Sequence, residues 1–221
     1  MSSPAAAASA PDPLVIAIDG PAGSGKSTVA RAVADRLGLG YLDTGAMYRA
    51  ATFAVLRRGL DPGDDEEVAR VVEDIDLAVG DGCVRVDGLD ATVEIRGREV
   101  TAAVSAVAAN SRVRAALVRR QRQWIADHHG GVVEGRDIAS VVYPQADLKV
   151  FVTASPRVRA QRRVADIGGS VEEVEASIIE RDRKDAGRAD SPFTRADGAT
   201  VVDTSEMPIE AVVGHIIGML P

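Results

Sequence analysis

The stretch Gly20-Pro21-Ala22-Gly23-Ser24-Gly25-Lys26-Ser27-Thr28 constrains this chain more than any other. It fits G-x-x-x-x-G-K-S/T, follows the apolar run Leu14-Val15-Ile16-Ala17-Ile18, and leads into Val29, Val33 and Leu37 at i, i+4 and i+8. That order reads as strand, glycine-rich loop and amphipathic helix. Glycines let the backbone turn tightly so that successive N–H groups face an anion, and the helix adds its positive N-terminal end. Lys26 is placed to reach the outer phosphates of a nucleotide, and the Ser27 hydroxyl to bind Mg²⁺. An ordinary glycine-rich turn would need neither flank. The chain has three lysines against 23 arginines, and one of the three sits here, where an ammonium and a guanidinium are not interchangeable.

The 221 residues suit one domain of generous size, or a domain with an insertion. Aromatics make up 3% of the chain, so its core is expected to be aliphatic. A net charge of −7 disfavours nonspecific nucleic-acid binding. The single cysteine, Cys83, excludes an internal disulfide and a cysteine-rich zinc site. Residues 1–13 are rich in Ala, Ser and Pro without a basic start, and read as a disordered leader. No apolar run approaches the ~20 residues of a membrane helix. A soluble, cytoplasmic monomer is expected.

Further along, Tyr41-Leu42 makes a very short strand, and 43–58 a helix stopped by Gly59. Residues 63–75 read as a short acidic helix. The runs 77–79, 83–86 and 92–95 are separated by Asp81-Gly82 and Asp87-Gly88, a hairpin signal. They predict an antiparallel insert within about 63–105, on the acceptor side of 14–221. A helical pattern spans 101–128. Strands follow at 132–133 and 149–152, then a helix capped by Ser155-Pro156 and carrying Arg157, Arg159, Arg162 and Arg163. A helix begins at Ser170-Val171-Glu172-Glu173, within a lid of about 168–192. A last strand at 200–202 and an amphipathic C-terminal helix complete the pattern. About five strands alternating with helices predict an α/β three-layer sandwich with a five-stranded parallel sheet. The glycine-rich loop, Asp43-Thr44 and Glu134–Asp137 should then meet beyond the strands' carboxyl ends.

Three stretches carry candidate chemistry besides the loop. Asp43-Thr44-Gly45-Ala46-Met47-Tyr48-Arg49 supplies either a helix cap and a half-buried tyrosine, or Thr44 and Arg49 for a second phosphate-bearing ligand. Glu134-Gly135-Arg136-Asp137 supplies either a salt-bridged turn or ligand contacts, with Glu134 placed to orient a water of the Mg²⁺ shell. In Glu180-Arg181-Asp182-Arg183-Lys184-Asp185-Ala186-Gly187-Arg188, the residues Arg181, Asp185 and Arg188 share a helix face. Arginines on a closing lid suit phosphoryl transfer between two charged partners. A nucleoside monophosphate attacks through an oxygen already ionised near neutral pH, so only charge neutralisation, in-line positioning and exclusion of water are required. His128, His129 and His215 have no placed partners.

Together these residues resemble the bacterial cytidylate kinases, the CMP/dCMP kinases of the nucleoside-monophosphate kinase group. The resemblance runs from about Val15 to the C-terminus. It rests on IDGPAGSGKST (18–28), LDTGAMYR (42–49), SAVAANSRVRAALVRRQR (105–122), EGRDIASVVYP (134–144) and ERDRKDAGR (180–188). It implies a P-loop core that binds ATP through residues 20–28, a lid, and an antiparallel insert on the CMP side. By residue it puts Thr44, Tyr48 and Arg49 near the acceptor nucleotide, while Ser105, Arg114 and Asp137 read cytosine, ribose or phosphate. Arg136 would contact the acceptor phosphate, Arg181 and Arg188 would clamp phosphates, and Asp185 would face the sugar. Glu134 departs from the pattern, where an Asp is familiar.

The expectation is Mg²⁺-dependent transfer from ATP to CMP and dCMP, with Lys26, Arg136, Arg181 and Arg188 neutralising transferred charge. The rivals are a kinase of another small acceptor, such as UMP or a hydroxyl activated by Asp43, and a nucleotide-dependent switch. The N-K-x-D sequence typical of guanine-reading switches does not occur.

Overall fold

The apolar run before the glycine-rich loop is the central strand of a five-stranded sheet, β1 (Leu14–Asp19), buried from Val15 onward. The computed structural model describes residues 13–80, 82–187 and 193–220. Side chains alternate across a strand, so Val15 and Ala17 enter one hydrophobic core while Ile16 and Ile18 enter another. A strand covered on both faces needs a continuous apolar run rather than an alternating one.

The other elements are α1 (Lys26–Leu37), β2 (Tyr41–Asp43), α2 (Thr44–Arg57), α3 (Asp65–Asp74), β3 (Leu77–Gly80), β4 (Cys83–Val86) and β5 (Leu89–Asp90). After them come α4 (Arg98–Val107), α5 (Ser111–Asp127), β6 (Gly130–Gly135), β7 (Leu148–Thr153), α6 (Pro156–Ile167), α7 (Val171–Ala186), β8 (Thr200–Asp203) and α8 (Ile209–Ile217). The main sheet has the order β2-β6-β1-β7-β8 with every pair parallel. Val29 and Val33 of α1 and Val213 and Ile216 of α8 cover one face. Ala50 and Val55 of α2 and Leu117 and Ile125 of α5 cover the other. The architecture is the expected three-layer α/β sandwich.

Two local expectations are corrected. Residues 92–95 do not form a strand. Asp87 and Gly88 both take positive φ, making a tight β4–β5 hairpin. The Thr92 hydroxyl then accepts from the Val84 N–H at 2.9 Å, taking the place of a backbone partner, and a 3₁₀ turn follows at Glu94–Arg96. The helical stretch 101–128 is two helices, because Asn110 breaks it. Its Oδ1 accepts from the N–H groups of Arg112 and Val113, capping α5, and its amide donates to the Asp65 carbonyl at 2.8 Å. The Ser155 cap with Pro156 at the helix start is present as expected. Asp81, residues 1–12 of the proposed leader, and 188–192 at the end of the proposed lid lie outside the described residues.

At the end of β1, Asp19 is buried and its carboxylate accepts from the Ile138 and Ala139 N–H groups at 2.8 and 2.9 Å. It ties the start of the glycine-rich loop to the turn after β6. Burial pushes its carboxyl up to about 6, against the two N–H groups, and Asp137 pushes the same way. The folded chain therefore holds a proton that the unfolded chain releases nearer the ordinary aspartate value. The resulting stability, on the order of 3 kcal/mol, is complete below that ordinary value and is lost as pH rises through about 6. Asp19→Asn should flatten the fall in urea-denaturation free energy between about pH 4 and pH 6. An unchanged slope would place its source in another group.

Candidate active site

The glycine-rich loop is fixed from outside. On α6, Arg159 donates to the Ala22 carbonyl at 3.1 Å and Arg162 to the Ser24 carbonyl at 3.2 Å. The Thr204 hydroxyl, just past β8, also donates to the Ser24 carbonyl, at 2.9 Å. Gly20 backs so closely onto β7 that a Cβ there would lie 2.1 Å from the Val152 carbonyl oxygen. Gly25 takes φ 83 and offers no side-chain cap to α1, so the first N–H groups of that helix are left for an anion. Pro21 and Ser24 are buried behind the loop, and Thr28 is exposed on α1. Ala22, Gly23, Lys26 and Ser27 line a cavity of about 210 Å³.

The acceptor stretches reach the same cavity because β2 lies beside β6 with Asp43 opposite Glu134. Asp43 is the N-cap of α2, its Oδ1 accepting from the Ala46 N–H at 2.9 Å. The Thr44 hydroxyl donates to the Glu134 carbonyl at 2.7 Å, fixing the helix start against the strand end. Thr44, Tyr48 and Arg49 line the cavity from α2, Arg114 from α5, and Gly135, Arg136 and Asp137 from the end of β6. Arg181 closes it from α7. Ser105 instead lines an adjoining cleft of about 380 Å³ between α4 and α7, which shares Ala22, Gly23, Arg163 and Arg181 with the first.

Seven cationic side chains line the cavity against three carboxylates, an inversion of the chain's net charge of −7. Arg49 records the crowding. Its guanidinium, held by the Ile95 carbonyl and the Thr101 hydroxyl, is pushed down to about 10, first by burial and then by Arg181, Arg163 and Arg96. Arg114 and Asp137 form a buried ion pair, with the Arg114 guanidinium 5.9 Å from the centre of the Tyr48 ring.

Glu134 is 2% exposed. Burial pushes its carboxyl up and the Lys26 ammonium down, and each charge partly restores the other. Its Oε1 accepts from the Tyr41 hydroxyl at 2.8 Å, while Oε2 is buried without a well-formed hydrogen bond. The Tyr41 phenol is pushed far above its ordinary value by burial and then by Glu134, so it stays a donor. Ser27 and Glu134 fit a divalent cation bound with a nucleotide. The buried carboxylate and the exposed hydroxyl at the start of α1 interact with each other, so two oxygen donors stand together beside the loop. Among the described residues no group of three or more His, Cys, Asp or Glu could hold a metal alone, so phosphate and water would complete the shell.

On the lid side, Asp185 does not line the cavity. It is fully buried and pairs with Arg136, with the Arg181 Nε at 4.0 Å. The helical spacing does place Arg181 and Asp185 on one face, but that face turns the carboxylate toward Arg136 rather than toward open space. Asp182 lies 3.7 Å from Arg136 and 2.6 Å from Arg159. Arg188 falls outside the described residues.

Several participants had no role assigned from sequence. Arg159 and Arg162 read from sequence as residues of the helix after Ser155-Pro156 without a site role. Arg163 and Arg96 line the cavity from α6 and from the turn before α4. Thr204 and Tyr41 carry no motif signal, and Asp182 lies within the 180–188 stretch without a role assigned to it. The position of Thr204 directly after a strand of the parallel sheet was the one available hint.

The cytidylate kinase family model matches residues 16–221. A cytidylate kinase of Corynebacterium efficiens is 47% identical over 213 residues, covering 92% of this chain and 93% of that protein. A bifunctional pantoate ligase/cytidylate kinase of Synechococcus sp. (strain CC9311) is 49% identical over 210 residues. That match takes in 90% of this chain but only 42% of the longer protein. The solved structure of an uncharacterized protein from Eubacterium ventriosum ATCC 27560 shares the fold at a TM-score of 0.51 and 11% identity, with 93% and 96% of the two chains covered. With the family model matching nearly the whole chain and a cytidylate kinase 47% identical across it, the chain belongs to the cytidylate kinase family.

Proposed function

We propose that this protein transfers the γ-phosphoryl group of ATP to CMP and dCMP, giving ADP and the corresponding diphosphate. The observation carrying this reading is that Ala22, Gly23, Lys26 and Ser27 of the donor loop and Arg49, Arg136 and Arg181 line one cavity. Two phosphate sites that share walls suit direct transfer from one nucleotide to another. Lys26 and the loop amides hold the donor phosphates, and Arg49, Arg136, Arg181 and Arg188 neutralise the acceptor and the group in transit. Ser27 would hold Mg²⁺ directly and Glu134 through a water of its shell, and the ion would supply charge neutralisation at the donor phosphates. Arg114 and Asp137, with Tyr48 beside them and Ser105 in the adjoining cleft, read the nucleoside. Thr44 acts by fixing the helix that presents Tyr48 and Arg49, and Asp185 by orienting Arg136 and Arg181.

A hydroxyl acceptor would need a general base, and Asp43, the one candidate, is engaged as a helix cap. No helix among the described residues is long and apolar enough to cross a membrane. We place the activity in pyrimidine nucleotide supply in the cytoplasm, carried by a monomer.

A coupled ADP-release assay with CMP, dCMP, UMP, AMP and no acceptor tests the reaction. Fast turnover is expected with CMP and dCMP, and kcat/KM at least about tenfold lower with UMP, since cytosine's amino donor becomes a carbonyl acceptor in uracil. Preference for UMP, or ADP release without acceptor, would overturn the assignment. The two halves of the cavity should separate kinetically. Arg162→Met, which removes one of the two donors to the Ser24 carbonyl, should raise KM for ATP about tenfold with KM for CMP nearly unchanged, as expected for a lost charged hydrogen bond. Arg49→Met should do the reverse. Equal effects on both constants would argue against separate donor and acceptor roles.

A further inference from the structure

Tyr41 belongs to no motif, yet it makes the one well-formed hydrogen bond to the carboxylate of Glu134 among the described residues. The two residues stand on neighbouring strands. Tyr41 faces Val132 across the β2–β6 pair, two positions before Glu134, so the phenol leans along the strand to reach Oε1 at 2.8 Å. Its ring also carries the Arg31 guanidinium, 5.2 Å from the ring centre. Arg31 lies one turn after Ser27 on α1, so the phenol is wedged between the donor-loop helix and the strand bearing Glu134. Oε2 is left buried without a good hydrogen bond, beside Lys26 and Ser27. Buried polar atoms rarely go unpartnered, and the groups that face this carboxylate besides Tyr41 include the Lys26 ammonium and the Ser27 hydroxyl of the glycine-rich loop.

We propose that Tyr41 is a positioning residue for the metal-bearing donor nucleotide, holding Oε1 of Glu134 so that Oε2 faces Ser27 and the hydration shell of the bound cation. This rests on the metal role given to Glu134 above. A glutamate has one more rotatable bond than an aspartate, and an unheld carboxylate would sample positions useless to the cation. The length of residue 134 and the hydroxyl of residue 41 therefore form one device, since a shorter carboxylate at 134 would retreat from the phenol.

A buried phenol needs an acceptor for its own sake, and the test separates that structural need from the functional one. The affinity of the enzyme–ADP complex for Mn²⁺ is read by electron paramagnetic resonance for wild type, Tyr41→Phe, Glu134→Gln, Glu134→Asp and the double variant Tyr41→Phe/Glu134→Asp. KM for CMP and the Tm of each are measured alongside. Tyr41→Phe should weaken Mn²⁺ binding roughly tenfold, the usual scale for a group acting through a metal-site residue, with KM for CMP unchanged. In the Glu134→Asp background the same change should have no effect. Wild-type Mn²⁺ affinity in Tyr41→Phe, with Glu134→Gln weakened, would overturn the role of Tyr41 alone. An equal loss in both backgrounds would mark Tyr41 as merely structural and overturn it as well. An unaffected Glu134→Gln would remove the metal role on which the proposal stands.

Discussion

The outward carbonyls of the glycine-rich loop are the constraint on which the rest of the site depends. A loop that offers N–H groups to an anion must send carbonyl oxygens the other way, and each needs a donor. Arg159 takes that of Ala22, and Arg162 and Thr204 take that of Ser24. These donors come from α6 and from the residue after β8, whereas Thr44 and Arg136 follow β2 and β6. The strand order puts β1 between them, and its last residue, Asp19, ties the two halves through Ile138 and Ala139.

Much of this was legible in the sequence, for a physical reason. Where a strand runs straight into a glycine-rich or charged stretch, the chain has left the sheet at its carboxyl end and those residues face the crevice there. Residues 20–28, 43–49 and 134–137 all carry that signal, and each has members lining the cavity. The antiparallel pairing of β3 and β4 was legible from alternation and turn residues. The break at Asn110 was not, because its side chain is recruited by the distant Asp65 as well as by its own helix.

What escaped was pairing over long separations. Tyr41 and Glu134 are 93 positions apart, and Ser24 and Thr204 are 180 apart. No local pattern announces that such residues meet. Arg159 and Arg162 escaped for the opposite reason: arginines on a helix are common on solvated faces, and only the position of α6 against the loop distinguishes them. Asp185 shows the limit of helical spacing. Periodicity says which residues share a face but not what that face meets.

Asp182 and Asp185 give the cavity resident counter-ions. Arg136 is paired with Asp185 and approached by Asp182. Any anion that binds Arg136 must therefore exchange with a carboxylate already paired to it, and the free energy of the new contact would be offset by that of the old one. Both carboxylates sit on α7, the helix that also carries Arg181, so a change of partner at Arg136 is coupled to that helix.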